Sequence, residues 1–580
     1  MEPTPTNISA FMFPSAAFTP NPPPAVESSS IKHWPSSTLN PKNRIDSLEL
    51  LPAPTWKIDG GSADGIRLFA IPNFARGRPP MQIETCIPEI EDIPEHLRDV
   101  LQPNSSMFRE SVDVGSSSIS RHILRALENW SATRFGGDFE KEYSSMPYGS
   151  RIIFENIAAD VRDIKIHFVP AYDVEREYLS KKALQAMWNL PPNAWPETLD
   201  LGQLKFQRQI DYVVSLVSLP GTDGREYIFK SLTHDLKHFY HELRLLLTLE
   251  PHPNIISHPL YIVTKKCQFG GKVGVCGMIL PYHSAGGLRG VLRRQSLDPQ
   301  RDLRDEIHWA QQITSALIHI RERSPAFYTN LKLDNIVMAS SSETGTLQPV
   351  LIDFEQRIGS PVWTPPEVHY IIYLTSLATT SPSPSIRTKY TALLQTHRIP
   401  FTNPSPTALY KNPPHGYCEP WPSFTSAEQE AAQVYMLGKL LWCLFENATL
   451  LNTHISITSF RDQPAVPDLL FPAFRRTPPV LRDCILQCTA GSGEARGRAP
   501  PLVASYGDRK IVLREGEEGE GRGGREEVQS AMQRWWSQEI KDAEMFLGSR
   551  RESGVGGGCL QKYIDGRPTL KDVLRVLQSL

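Results

Sequence analysis

Between Tyr328 and Glu367 the chain gathers side chains able to bind a hard cation. The run YTNLKLDNIV places Asn330, Lys332 and Asn335 on one loop. Asp353 follows the short apolar run Val350-Leu351-Ile352, whose continuous hydrophobicity reads as a buried strand. An amide oxygen at Asn335 and a carboxylate at Asp353 are two oxygen ligands of the kind such a cation prefers.

The order of these residues resembles that of the protein kinases, in which a catalytic loop HRDLxxxxN is followed by a strand, then DFG, then APE. Aligned on Asn335, Tyr328-Thr329-Asn330 occupy the HRD positions and Lys332 follows. Asp353-Phe354-Glu355 stands at DFG, and Pro365-Pro366-Glu367 at APE. The resemblance implies an α+β, two-lobed fold, with a small antiparallel β lobe and a mainly helical large lobe. It also implies ATP and Mg²⁺ as cofactors, with Asn335 and Asp353 as metal ligands and Lys332 beside the phosphates. The family's catalytic Asp is Asn330 here. An amide orients a hydroxyl without taking its proton, and loss of a general base typically costs about 10²–10⁴ in rate. Asp334 is a carboxylate in the same loop, but it adjoins the metal-binding Asn rather than the base position.

The elements that must hold these residues can be read on both sides. The stretch IDYVVSLVSLPGTDGREYIFKSL predicts two strands joined by a Pro-Gly…Asp-Gly turn. Its last strand, Tyr227 to Lys230, resembles the family's VAIK strand, so Lys230 is the candidate for the α and β phosphates. The helix HDLKHFYHELRLLLTLE carries Glu242 ten residues before His252, near the family's offset for the helix Glu that pairs with that Lys. The strand VGVCGMIL leads to Leu280, Pro281, Tyr282 and His283, the position of the adenine-binding hinge. A helix, LRDEIHWAQQITSALIHIRER, places Ile307, Ala310, Ile313 and Leu317 on one face and precedes the catalytic loop.

Further departures follow the change at Asn330. The nucleotide-covering loop falls in LGQLKFQRQIDYVV, where Gly202 is the one glycine, and Cβ atoms elsewhere hold backbone N–H groups away from phosphate. Gln433 replaces the Asp that opens the family's central large-lobe helix and accepts hydrogen bonds from the catalytic-loop backbone. Glu355 replaces the last Gly of DFG, either as an extra metal ligand or as a charge repelling phosphate. Thr329 replaces the Arg that grips a phosphorylated activation segment, and only 14 positions separate Asp353 from Glu367, which argues against switching by phosphorylation. Arg567, near the C-terminus, is placed to pair with Glu367 as a structural ion pair of the large lobe. Together these residues favour a pseudokinase that binds ATP weakly and acts through protein partners. The alternative is an ATP-dependent protein Ser/Thr kinase with an atypical catalytic loop.

Composition bounds the rest. The chain has 580 residues, enough for several domains, and 50 prolines, enough to keep part of it unstructured. Residues 1–104 are rich in Pro, Ser and Thr and lack a sustained period, which predicts a disordered tail. Residues 105–198 read as an extension packing on the kinase-like body. It opens with a helix on which Ile123, Leu124, Leu127 and Trp130 share one face, continues with two short strands and ends with a second helix from about Val174 to Trp188. The kinase-like domain covers 199–580, with the small lobe to about 282, the large lobe from about 283, and insertions at 379–422 and 490–527. A formal charge of −2 provides no global field for nucleic acid or an anionic membrane. The eight cysteines form no CxxC pair and read as buried reduced thiols. Neither a signal peptide nor an apolar run long enough for a bilayer is evident, so a cytoplasmic or nuclear protein is expected.

Overall fold

The computed structural model describes residues 54–580 apart from 62–65, 90–91, 94–96, 98–117, 269, 296–302, 325, 341–344, 358–361, 382, 400, 402–409, 411–415, 419, 450–473, 492–501, 506–509, 514–524, 553–563 and 565. Most of the expected tail therefore lies outside the described residues. The protein is α+β, and its chain divides into two compact units. The N-terminal unit comprises the described residues to Thr248 and Ile256–Tyr282, and the C-terminal unit comprises Leu249–Ile255 and His283–Leu580.

The N-terminal unit opens with a five-stranded sheet in the order β1-β2-β3-β4-β5. Its strands are β1 (Trp56–Gly61), β2 (Arg67–Pro72), β3 (Glu84–Cys86), β4 (Arg151–Phe154) and β5 (Ile166–Val169). Neighbours pair antiparallel except β3 and β4, which are parallel. This corrects the reading of 1–104 as tail throughout and removes the boundary at 104, because β3 and β4 pair across it. The physical reason is burial. Trp56, Ile58, Leu68 and Ala70 share a core with Ile123, Leu127 and Trp130 of α1 (Ser118–Phe135) and with Ile152 and Phe154 of β4. The Trp56 indole also donates to Ser131 Oγ at 3.3 Å and lies 5.4 Å from the Phe139 ring of α2 (Phe139–Ser145). The second helix expected near Val174–Trp188 is two, α3 (Tyr172–Glu177) and α4 (Lys181–Trp188), because Ser180 caps α4 by accepting from the Ala183 N–H.

A six-stranded sheet follows, in the order β6-β10-β11-β9-β8-β7. The strands are β6 (Glu197–Asp200), β7 (Lys205–Asp211), β8 (Val214–Ser218), β9 (Glu226–Lys230), β10 (Tyr261–Lys266) and β11 (Val273–Pro281), with α5 (Leu236–Thr248) between β9 and β10. It departs from the expected antiparallel lobe at β6, which pairs parallel with β10 and begins two residues before the expected domain start at 199. The β7–β8 hairpin turns at Tyr212-Val213, between the paired Asp211 and Val214. Gly202 lies before β7, in a 3₁₀ turn capped by Asp200, so no glycine occupies the hairpin tip.

The C-terminal unit is mainly helical. Its first elements are α6 (Leu288–Gln295), α7 (Arg304–Arg323) and the hairpin of β12 (Ile336–Ser340) and β13 (Leu347–Leu351). Ala310, Ile313 and Leu317 of α7 are buried as expected, whereas Ile307 is half-buried because Glu306 and Trp309 take the inner side. The unit continues with α8 (Pro366–Thr380), α9 (Pro384–Thr396), α10 (Ser426–Glu446), α11 (Pro479–Cys488), α12 (Arg525–Glu552) and α13 (Leu570–Gln578). A Thr425–Glu428 capping box starts α10, which is buried along most of its length.

Both expected insertions contribute structure. Within 379–422, helix α9 buries Ile386, Tyr390 and Leu394 in one core with Trp421 and with Trp535 and Trp536 of α12. Within 490–527, β14 (Leu502–Ser505) and β15 (Lys510–Leu513) pair antiparallel. The described cysteines are free, and all but Cys86 are buried. Among the described residues, no helix is long and apolar enough to cross a membrane.

Candidate functional site

Lys230 ends β9, a strand flanked on both sides, and pairs across the sheet with Val214 and Met278. Close approach at this point requires Gly277 in β11, because a Cβ there would meet the Phe229 ring at 2.3 Å and the Lys230 carbonyl at 2.8 Å. An ammonium in such a position must be compensated. The Glu242 carboxylate on α5 lies 2.8 Å from Lys230 Nζ, with side-chain exposures of 7% for Lys230 and 1% for Glu242. The contact that the resemblance implies is therefore formed, within the N-terminal unit. Leu280 is buried on β11, and Tyr282 and His283 are half-buried where the chain passes from one unit to the next. Burial lowers the His283 pKa from its ordinary value.

In the C-terminal unit the loop after α7 is pinned from several directions. The Tyr328 hydroxyl donates to the Ile352 carbonyl, and its ring meets Phe354 edge-on at 5.0 Å. Thr329 Oγ1 donates to the Arg357 carbonyl at 3.2 Å, and Gln356 Nε2 donates to the Phe327 carbonyl at 2.5 Å. These contacts hold Asn330, Asn335 and Asp353 together. Asn335 Nδ2 donates to the Asn330 carbonyl at 2.9 Å and to Asp353 Oδ2 at 3.2 Å, and Asn330 Nδ2 donates to the same Oδ2 at 3.3 Å. Asp353 has φ 66 and Gln356 φ 55. A non-glycine residue held in this left-handed region costs on the order of 1–3 kcal/mol and persists only where its surroundings fix it.

Two amide N–H donors thus meet one carboxylate oxygen. Asn330, at the position of the expected base, gives a proton into a hydrogen bond and has no lone pair basic enough to accept one from a hydroxyl. Asp334 does not replace it, because it is exposed and its carboxylate lies 2.8 Å from Arg289 of α6. Lys332 is half-buried at the start of the 3₁₀ turn Leu333–Asn335.

The donor set fits a hard cation through Asp353, and Asn335 would join it by turning its amide oxygen inward and giving up the Nδ2 bonds to the Asn330 carbonyl and Asp353. One oxygen of Glu355 lies within 4.8 Å of one of Asp353. Glu355 is nevertheless paired with Arg357, which offsets the charge that would repel phosphate.

Gln433, in the middle of α10, is fully buried and donates Nε2 to the Tyr328 carbonyl at 3.1 Å. The side chain reaches the catalytic-type loop, as its position implies, but as a donor to a carbonyl rather than as an acceptor of N–H groups. Glu367, in the first turn of α8, and Arg567, before α13, pair through two N–H···O contacts of 2.7 and 3.2 Å.

Three further features escape sequence reasoning. Lys439 is buried on α10, donates to the Val362 carbonyl at 2.5 Å and lies 4.8 Å from the Tyr435 ring centroid. A lone Lys in an apolar helical run was its one signal. The Glu355–Arg357 pair was readable only as two nearby opposite charges, and the contacts of Asp59 in β1 had no signal. Compared with family models and with curated proteins, the chain matches none.

Proposed function

We propose that the chain is a protein-kinase-like pseudokinase, two-lobed in plan, that binds Mg·ATP weakly and acts through protein partners inside the cell, in the cytoplasm or nucleus. The observation that carries this reading is the Asn330 amide donating to Asp353 where phosphoryl transfer needs a proton acceptor. Lys230, fixed by Glu242, is the residue for the nucleotide phosphates, with Lys332 as a second cation. Leu280, Tyr282 and His283 are the segment for adenine. Asp353 and Asn335 would hold Mg²⁺, which when bound neutralises phosphate charge. The glycine-free tip at Tyr212-Val213 supports weak rather than tight binding, since no residue there lets the backbone approach a phosphate closely.

The formed Lys230–Glu242 contact favours a second reading, an active ATP-dependent protein kinase with an atypical loop. The test of nucleotide binding is thermal unfolding of the full chain with ATP, with and without Mg²⁺. A ligand at about 100 times its Kd stabilises by roughly 2.7 kcal/mol, so a Mg²⁺-dependent rise in Tm that Asp353→Ala removes is expected. No shift at millimolar Mg·ATP contradicts the nucleotide part of the proposal.

A further inference from the structure

Strand β7 is the outer strand of the six-stranded sheet, with β8 on its inner side. Such an edge leaves backbone N–H and C=O groups in need of partners. Here the partners come from β1 and from the segment between β2 and β3 of the same unit. The Gly77 N–H donates to the Phe206 carbonyl and the Phe206 N–H to the Arg78 carbonyl, each at 2.8 Å. Further along, Asp59 Oδ2 accepts the Gln209 N–H at 3.0 Å. Gln82 Nε2 donates to the Tyr212 carbonyl at the hairpin tip, and the Tyr148 hydroxyl donates to Gln82 Oε1. Gln82 holds φ 48, so the backbone is bent to present this side chain. The Tyr212 N–H is itself taken by Asp211 Oδ1 at 2.6 Å.

The consequence is electrostatic as well as mechanical. At Gln209 and Tyr212, the hairpin's backbone N–H groups already meet carboxylates, the chemistry by which a phosphate oxygen would be bound. The Asp59 side chain is 4% exposed, with its other oxygen 3.6 Å from both Lys57 Nζ and Arg76 Nη2. It is therefore flanked by two cations and one backbone donor.

We infer that β1 and the Gly77–Gln82 segment form a built-in inhibitory clamp on the β7–β8 hairpin, with Asp59 occupying a backbone donor as an anionic ligand would. The hairpin is then a fixed part of the sheet and not a cover that closes over nucleotide. This rests on the proposed nucleotide binding, and it adds that the N-terminal sheet sets how weak that binding is.

The experiment compares full-length parent, Asp59→Ala, Asp59→Asn and Gln82→Gly, the glycine being chosen because it tolerates the positive φ. Amide hydrogen exchange is read over residues 204–218, and the apparent Kd for Mg·ATP is taken from thermal shifts. Exchange at Gln209 is expected to quicken about tenfold in Asp59→Ala, as loss of its charge-assisted acceptor implies, and less in Asp59→Asn, which keeps a neutral acceptor; in Gln82→Gly, loss of the bond to the Tyr212 carbonyl is expected to quicken exchange across the hairpin. Unchanged exchange in β9 and α5 reports an intact fold. The apparent Kd should fall several-fold in the same variants. Unchanged hairpin exchange, or faster exchange with the same Kd, overturns the inference. No Mg·ATP binding by any of the proteins, parent included, overturns the proposed nucleotide binding and the inhibitory role with it.

Discussion

The guanidinium of Arg567 and the carboxylate of Glu367, 200 positions apart in the chain, form a two-point ion pair with side chains 1% and 2% exposed. Arg567 also donates to the carbonyls of Ala490 and Ala431 and lies 4.9 Å from the Tyr435 ring. It thereby ties the start of α8, helix α10 and the ends of α11 and α13 at one point. Removing one member of such a pair leaves a buried charge alone, at a cost of about 3–5 kcal/mol. Arg567→Ala should lower unfolding free energy by that order in denaturant titration, with Arg567→Lys intermediate because it keeps charge but not the two-point geometry. An Arg567→Ala protein as stable as the parent would contradict this role.

Lys439 predicts a dependence of stability on pH. Burial pushes its pKa down from an ordinary 10.5 to about 7, with the Arg567 charge adding to the effect and Cys443 opposing it. Below about pH 7 both folded and unfolded chains carry the proton. Between about 7 and 10.5 only the unfolded chain does, so stability from this residue rises with pH in that window, by up to about 1.4 kcal/mol per pH unit. Lys439→Met, which has no proton to lose, should show a flatter profile from pH 7 to 9. Parallel profiles for parent and variant would show that the ammonium stays charged through its contacts with the Val362 carbonyl and the Tyr435 ring.

The N-terminal sheet is expected to be required for folding of its unit. Trp56 is 1% exposed and meets Phe139, Tyr143 and Ser131. Trp56→Ala should cost about 3–5 kcal/mol, the range for deleting a buried large aromatic. Proteolysis of the parent should not cut within β1, β2 or β3 under native conditions. Cleavage there, with the rest of the chain resistant, would show that β1–β3 do not belong to the fold.

What the sequence revealed follows the range over which its signals act. The antiparallel β8–β9 pair and helix α7 have local patterns, alternation with a turn in one case and a 3.6-residue period in the other, and both lie close to where those patterns place them. The contacts Lys230–Glu242 and Glu367–Arg567 were legible only because the resemblance supplied partners for residues far apart.

Strands β1–β3 were hidden for physical reasons. WKIDGG ends in two glycines, β3 has three residues, and Pro-rich runs surround them. Their stability comes from pairing β3 in parallel with β4, as Glu84 with Arg151, 67 positions on, which no local window records. Gln433 illustrates a different limit. Its position indicated contact with the catalytic-type loop, but whether a Gln donates or accepts depends on which backbone atom faces it. The same holds for Glu355, whose partner Arg357 is two residues away and readable as charge, though not as a contact.

The most direct measurement of the central claim is phosphate incorporation from Mg·ATP into a generic protein substrate by parent, Asn330→Asp and Asp353→Ala proteins. The parent should show no transfer above the Asp353→Ala control. Asn330→Asp restores a carboxylate where the proton must go and should produce a small gain. The gain is limited by Gln433, by Glu355 and by the glycine-free hairpin, because a displacement of about 1 Å can cost on the order of 10²-fold. Robust transfer by the parent that Asp353→Ala abolishes would contradict the pseudokinase reading and make Asn330 part of a working active site.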